Sequence, residues 1–194
     1  MDISLKPKYI PLVQKPCCCN VTCLQMILYR RGFGLFDQEN LARYFKIKVG
    51  PRDVDCFNIK LGTYTSLNND EGLKTIESED VINQFFLEHH ISLSASAVRA
   101  SEIRNLQSFI TKNLEKNRDL WIEYKSHVIH NAEAIHDGLV ESIAESTPSI
   151  TATLINPLPR GKPRFVINLH RLQDALSDKY GRETGFIVIE RKTT

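Results

Sequence analysis

Residues 14–32 have the sequence QKPCCCNVTCLQMILYRRG, in which a cluster of cysteines comes directly before an apolar stretch. From Cys19 to Arg31 the apolar residues recur at helical spacing, so we expect a largely buried helix that begins at the cysteines and ends at Gly32. A helix N-terminus carries a partial positive charge, which favours the thiolate form of a cysteine placed there. The segment predicts a nucleophilic thiol, with Cys19 as the first candidate and Cys18 as the alternative.

Composition and charge limit the class of protein. The chain has 194 residues, 42% of them hydrophobic, and this length predicts one domain over residues 1–194. A net charge of +2 gives no electrostatic reason to expect a nucleic-acid partner or a membrane surface. No apolar run approaches the roughly 20 residues of a membrane span, and the first residues lack the apolar region of a secretory signal, so we expect a cytoplasmic protein.

Cysteine usage agrees with that location. Four of the five cysteines lie between Cys17 and Cys23, and neighbouring cysteines do not bridge one another easily. Reduced thiols in a reducing compartment are therefore expected instead of a disulfide framework.

The order of predicted elements indicates an α+β fold. Helices are expected early in the chain and strands after Asn117, which predicts an N-terminal helical part whose buried nucleophile helix packs on a C-terminal antiparallel sheet. The stretch 46–75 shows no sustained periodicity and is expected to be irregular or short-stranded. The predicted helices are 19–31, 38–45 capped by Asp37, 78–90, one capped by Ser101 that runs through Leu114, and one capped by Asn168. The predicted strands are 9–13, 120–124, 136–143, 150–155 and 185–190.

The strands 136–143 and 150–155 are separated by a turn-rich segment and predict a hairpin. If it closes between Ile143 and Ile150, His136 lies opposite Asn156 or Pro157. Directly opposed residues of an antiparallel pair have Cβ atoms roughly 4.5–5.5 Å apart. The Asn156 amide could then hydrogen-bond one imidazole nitrogen of His136 and leave the other for a thiol.

Four residues match the roles that hydrolysis by a cysteine requires. These roles are a thiol at a helix start, an imidazole that takes its proton, a side chain that orients the imidazole, and donors for the oxyanion. Cys19, His136, Asn156 and Gln14 are the candidates in that order. Asp137 is expected to point to the opposite face of the sheet from His136, because side chains alternate along a strand, and so to be a poor orienting residue.

The pattern of these residues resembles the bacteriocin-processing cysteine peptidase family, which cleaves double-glycine leaders, and its standalone relatives. The resemblance implies a papain-like α+β fold, a catalytic order of Cys, His, then Asp or Asn, and an oxyanion glutamine upstream. Position by position it implies that Cys19 is the nucleophile and that Asn156 orients His136. The residues that carry it are Gln14, Cys19, Cys23, Leu24, Met26, Leu28, Gly32, His136 and Asn156-Pro157.

The resemblance covers about the first 45 residues and the chain from Leu120 onward. Two positions depart from the family pattern. Asn20 follows the nucleophile where glycine is usual, and Cys18 precedes it where an acidic or polar residue is usual.

Three hypotheses follow for the function. The first is a papain-like thiol hydrolase, peptidase or amidase, or an acyl transferase, that acts on a peptide or small amide and needs no cofactor. The second is a catalytically inactive domain of the same fold that binds peptides or protein partners. The third is a metal site formed by Cys17, Cys19 and Cys23 with a histidine, although no second cysteine pair follows downstream. No pattern in the sequence sets the oligomeric state.

Overall fold

A computed structural model describes residues 2–64, 74–130, 135–146, 149–157, 162–177 and 183–192. These residues form an α+β architecture, as the order of predicted elements indicated. The helices are α1 (Cys19–Arg30), α2 (Gln38–Tyr44), α3 (Glu79–Glu88), α4 (Leu106–Glu115), α5 (Ser126–His130) and α6 (Leu169–Leu176). The strands are β1 (Asp2–Ser4), β2 (Lys48–Val49), β3 (Gly62–Thr63), β4 (Leu93–Arg99), β5 (Asp119–Lys125), β6 (Ile135–Ser146), β7 (Ser149–Ile155), β8 (Arg164–Asn168) and β9 (Gly185–Arg191).

The main sheet has seven strands among the described residues, in the order β4-β9-β5-β6-β7-β8, with β1 also paired to β6. Every pair in this sheet is antiparallel. β7 ends at Ile155, opposite Leu139, whereas β6 begins at Ile135. Residues 135–138 of β6 therefore extend beyond the end of β7, and the candidate site lies at this place.

Helix α1 has the predicted start and end. Ten of its 12 residues are buried, so the helix lies inside the protein and not on its surface. Gly32 adopts a φ of +86° and its N–H donates to the Tyr29 carbonyl, which terminates the helix. None of the described helices combines the length and the apolar character that a membrane-spanning segment requires.

The capping residues are partly as predicted. Asp37 accepts the N–H of Asn40 and Asn168 accepts the N–H of His170, which confirms both caps. The prediction for Ser101 is wrong, because residues 100–102 form a separate 3₁₀ turn. Helix α4 begins later, and the Oδ1 atom of Asn105 caps it by accepting the Ser108 N–H at 2.8 Å.

The sequence prediction missed three strands of the main sheet, β1, β4 and β8, and it placed a strand at residues 9–13 that does not form. Side chains satisfy the backbone of that segment instead. The N–H of Tyr9 donates to Glu141 Oε1 at 3.1 Å, and the N–H of Leu12 donates to Met26 Sδ at 3.4 Å. A backbone paired in this way has no need of a neighbouring strand.

The β6–β7 hairpin exists, but its register differs from the predicted one. Ile143 pairs with Ala152 and not with Ile150, and a bulge lies between Val140 and Ser142. The bulge inserts one residue in β6 and changes the pairing beyond it. Residues 147–148 of the turn lie outside the described residues. The stretch 46–75 holds the short strands β2 and β3, and its residues 65–73 also lie outside the described residues.

Candidate active site

His136 and Asn156 are hydrogen-bonded, as predicted, although they are not opposed in the hairpin register, because the pairing of β6 with β7 stops at Leu139 and Ile155. The distance from His136 Nε2 to Asn156 Oδ1 is 2.7 Å, and both residues are buried. An amide oxygen only accepts, so Nε2 carries a hydrogen and Nδ1 is the proton acceptor of the neutral ring. The bond therefore fixes the tautomer that a general base facing a thiol requires.

Glycine at position 138 allows β6 and the end of β7 to approach closely. A Cβ atom there would lie 3.0 Å from the Ile155 carbonyl oxygen and 3.4 Å from Cε1 of Tyr124. The Tyr124 ring meets the His136 ring edge to face, with centroids 5.7 Å apart and an interplanar angle of 88°. The imidazole is thus held by a hydrogen bond on one side and by an aromatic ring on another.

Cys19 lies at the start of α1 and approaches β6 at the residue after His136. Its Sγ donates a hydrogen bond to Asp137 Oδ2 at 3.3 Å. Burial raises the pKa of the Cys19 thiol well above its ordinary value, and the negative charge of Asp137 raises it further. Backbone N–H groups of Asp137 and Asn20 act in the opposite direction but do not outweigh these two effects.

The resting state of Cys19 therefore corrects the expectation from sequence. A helix N-terminus does favour a thiolate, but burial and a carboxylate in contact with the sulfur oppose it more strongly. In the structure the Cys19 thiol is hydrogen-bonded to Asp137, and its raised pKa favours the neutral form.

The other cysteines differ in exposure. Cys18 is fully buried whereas Cys19 is partly exposed, which makes Cys18 the poorer candidate for contact with a substrate. Burial raises the pKa of the Cys18 thiol to about 12. Burial also raises the pKa of the Cys23 thiol, one helical turn after Cys19. Cys17 is partly exposed and Cys56 is exposed. All five cysteines lie in the described ranges, and each is a reduced thiol.

Gln14 is fixed beside Asn156 through its backbone. Its N–H donates to the Pro157 carbonyl at 2.9 Å, and its buried Oε1 atom has no hydrogen-bond partner among the described residues. The next residue, Lys15, connects the segment to α2, because its N–H donates to Gln38 Oε1 at 2.6 Å and its ammonium pairs with Glu39. The backbone at Gln14 is therefore held from two sides.

Pairwise contacts link the predicted residues to the start of β6 and the end of β7. Asn156 contacts His136, Cys19 contacts the residue after His136, and the backbone of Gln14 contacts the residue after Asn156. Asn20, where the family pattern has glycine, is 1% exposed and accepts the N–H of Val21, so it packs inside the protein.

Sequence reasoning missed Asp137 and the residues that hold it. The Oδ1 atom of Asp137 accepts a hydrogen bond from Trp121 Nε1 at 2.8 Å and another from Thr75 Oγ1 at 2.6 Å. The sequence predicted that Asp137 is a poor orienting residue for His136, and it did not anticipate the contact of Asp137 with the thiol of Cys19. The position of Asp137 next to His136 was the signal in the sequence. No pattern marked Thr75.

The described residues contain no group of three or more His, Cys, Asp or Glu side chains arranged to hold a metal ion. The proposed set of Cys17, Cys19 and Cys23 with a histidine therefore does not come together in the part of the chain that the structure describes.

Comparisons with known proteins add no relative. No family model matches the sequence, and no curated protein matches it either.

Proposed function

We propose that the protein is a papain-like thiol hydrolase, a peptidase or amidase, in which Cys19 is the nucleophile, His136 the base, Asn156 the orienting residue and Gln14 an oxyanion donor. One observation carries the proposal. The imidazole of His136 is fixed by Asn156 at 2.7 Å, at the point of β6 where the thiol of Cys19 arrives from a different part of the chain. A buried helix that begins at the nucleophile and an antiparallel sheet that carries the base also agree with a papain-like fold and with the peptidase family named above.

The chemistry follows from the tautomer of His136. As Cys19 Sγ forms a bond to the substrate carbonyl carbon, its proton passes to His136 Nδ1 and the carbonyl π electrons move to oxygen. The backbone N–H of Cys19 and the Gln14 amide would donate to that oxygen. When the C–N bond breaks, His136 returns the proton to the leaving amine.

The substrate class is a peptide or small amide. Attack by water on the acyl-enzyme gives hydrolysis, and attack by another nucleophile gives acyl transfer on the same four residues. The proposal needs no cofactor and places the protein in the cytoplasm.

One observation favours the alternative of an inactive domain that binds peptides or protein partners. Cys19 is held as a neutral thiol by Asp137, and such a thiol is a weak nucleophile until its proton is removed.

Covalent labelling by a peptidyl acyloxymethyl ketone, a probe that reacts with activated thiols, tests the proposal. The labelled cysteine is identified by mass spectrometry in the wild-type protein and in three variants, Cys19→Ser, Cys18→Ser and His136→Ala. We expect the label on Cys19, with labelling retained in Cys18→Ser and reduced at least about a hundredfold in His136→Ala. Preferential labelling of the exposed Cys56, or labelling of Cys19 that does not depend on His136, would reject the hydrolase and favour the inactive domain.

A further inference from the structure

The carboxylate of Asp137 has a fixed orientation. Trp121 Nε1 and Thr75 Oγ1 both donate to its Oδ1 atom, at 2.8 Å and 2.6 Å, and all three residues are buried. The second oxygen, Oδ2, is left to face Cys19 Sγ at 3.3 Å. The two donors thus direct one carboxylate oxygen to the sulfur of the candidate nucleophile.

A carboxylate in this position stabilises the thiol and opposes the thiolate. The S–H group donates to it as long as the proton is present, whereas the thiolate would place two negative charges in contact inside the protein. This effect is opposite to that of a helix N-terminus or an imidazolium ion.

Other titratable groups surround the pair on the neighbouring elements. From α1, Cys23 faces the same carboxylate, and from β5, Tyr124 lies within electrostatic range of both Cys19 and Asp137. Burial raises the pKa of each well above its ordinary value, so both remain neutral near pH 7. His136 precedes Asp137 on β6 and is paired with Asn156.

Two charged side chains of β5 also lie on this part of the sheet. Glu123 is directly opposite Asp137, and its carboxylate accepts the backbone N–H of Thr75 at 2.8 Å. Lys125 directs its ammonium to the carbonyl of Ser177. Among the described residues, the anion in hydrogen-bond contact with the Cys19 sulfur is therefore Asp137.

We propose that Asp137 is a positioning residue of the site, which accepts the hydrogen of the Cys19 thiol and keeps the nucleophile neutral until a bound carbonyl group is attacked. The inference rests on the proposed function in taking Cys19 as the nucleophile. During attack the proton leaves Sγ for His136 Nδ1 while the S–C bond forms, and Asp137 itself takes no proton. The resting protein accordingly reacts slowly with simple alkylating reagents.

The test compares the pH dependence of Cys19 alkylation by iodoacetamide, followed by mass spectrometry, in wild type, Asp137→Asn and Glu145→Gln. Asparagine keeps the shape of Asp137 and removes its charge, and Glu145 is an exposed acid on the same strand that serves as a matched control. We expect the midpoint pH to fall by about one to three units in Asp137→Asn, because a like charge has been removed from the sulfur, and to stay unchanged in Glu145→Gln. At pH 7 the alkylation rate should rise only about threefold per unit, because a thiolate of lower pKa is a weaker nucleophile.

An unchanged midpoint in folded Asp137→Asn would overturn the inference. A measurement on the wild type covers the case in which the variant does not fold. The infrared S–H stretching band of Cys19, obtained as the difference between wild type and Cys19→Ser, should persist at pH 9, where an ordinary thiol is mostly ionised. Its absence at pH 9 would also overturn the inference. These results do not depend on His136, so they are distinguishable from a failure of the proposed function.

Discussion

Adjacent residues of β6 have different partners at this site. His136 is oriented by Asn156, and the next residue, Asp137, contacts the thiol of Cys19. Strand alternation allows two consecutive side chains to reach groups that come from different parts of the chain. A one-residue shift in the β6 register would exchange the two faces and remove both contacts.

The hydrogen bond between His136 and Asn156 gives the first prediction. Asn156→Ala removes the acceptor for Nε2–H, so the imidazole loses its fixed tautomer, and we expect labelling of Cys19 by the activated-thiol probe to fall by about tenfold to a hundredfold. Asn156→Asp retains an acceptor oxygen and should keep most of the labelling rate. Equal rates in wild type and Asn156→Ala would show that Asn156 does not orient the base.

At the scale of elements, the cap of α4 distinguishes the structure from the sequence-based expectation. Asn105 caps the helix by accepting the Ser108 N–H, so Asn105→Ala should lower the free energy of unfolding by about 1 kcal/mol. Ser101 lies on an exposed turn where its hydroxyl contacts Glu183, and Ser101→Ala should change the free energy by less than about 0.5 kcal/mol. Urea denaturation measures both values. A larger loss of free energy of unfolding in Ser101→Ala than in Asn105→Ala would favour the sequence-based prediction that Ser101 caps the helix.

The ion pairs of Asp119 connect the end of α1 to the start of β5. Asp119 is fully buried and pairs with Arg30 at 2.8 Å and with Arg31 at 2.5 Å, and the Arg30 side chain is 1% exposed. Asp119→Asn leaves a buried arginine without its counter-charge and should lower the free energy of unfolding by about 3–5 kcal/mol.

The pair between Arg99 and Glu183 is a control for that measurement, because both side chains are partly exposed. Glu183→Gln should lower the free energy by no more than about 1 kcal/mol in the same urea experiment. Similar losses in the two variants would mean that the Asp119 pairs act as surface ion pairs.

Sequence patterns predicted the elements with strong periodicity and missed those that depend on partners. Helix α1 follows from its apolar spacing and from Gly32. Strand β4 has the sequence LSASAVR, which lacks a strong apolar alternation. It forms because a neighbouring strand and a helix side chain bond to its backbone. It pairs with β9, and the Asn83 side chain of α3 bonds both the N–H and the carbonyl of Ala95 at 2.9 Å. Such tertiary partners are not visible in the local sequence.

At the scale of the whole molecule, buried thiol and phenol groups make the free energy of unfolding fall as the pH becomes alkaline. Cys18, Cys19, Cys23, Tyr9 and Tyr124 all have a folded-state pKa raised above the unfolded value, with burial as the largest cause. Their contribution to stability is fully present below the unfolded pKa and is lost as pH rises above it, because the unfolded state then ionises first. We expect the contribution of these five groups to the free energy of unfolding to be constant below about pH 8 and to fall above about pH 8.5.

Urea denaturation between pH 7 and pH 10 under reducing conditions, followed by the fluorescence of buried Trp121, measures that loss. Each buried thiol contributes a slope of about 1.4 kcal/mol per pH unit above its unfolded pKa. Cys23→Ala should therefore reduce the slope by one thiol's share, and Cys56→Ser should leave it unchanged because Cys56 is exposed. A stability that stays level or rises toward pH 10 would contradict the burial of these groups.

The candidate site was predictable in its residues but not in its electrostatics. Each predicted site residue carries a local signal. Cys19 is at a helix start with Gln14 shortly before it, and His136 is at a strand start. Asn156 follows the end of the next strand. The raised pKa of the Cys19 thiol has no local signal, because it arises first from burial and then from Asp137. Asp137 lies more than a hundred residues away, and its orientation depends on Thr75 and Trp121. Contacts between distant segments are set by the fold, so their electrostatic effects become visible only in three dimensions.

The central claim is that the thiol of Cys19 and the imidazole of His136, braced by Asn156, form one site. Long-range ¹H–¹⁵N NMR of the histidine rings tests this claim most directly, because it reports the tautomer and the surroundings of each imidazole without a substrate. We predict that His136 is the Nε2–H tautomer and that Cys19→Ala shifts its ring signals while those of His89 and His170 stay in place. The opposite tautomer at His136, or ring signals that Cys19→Ala leaves unchanged, would contradict it.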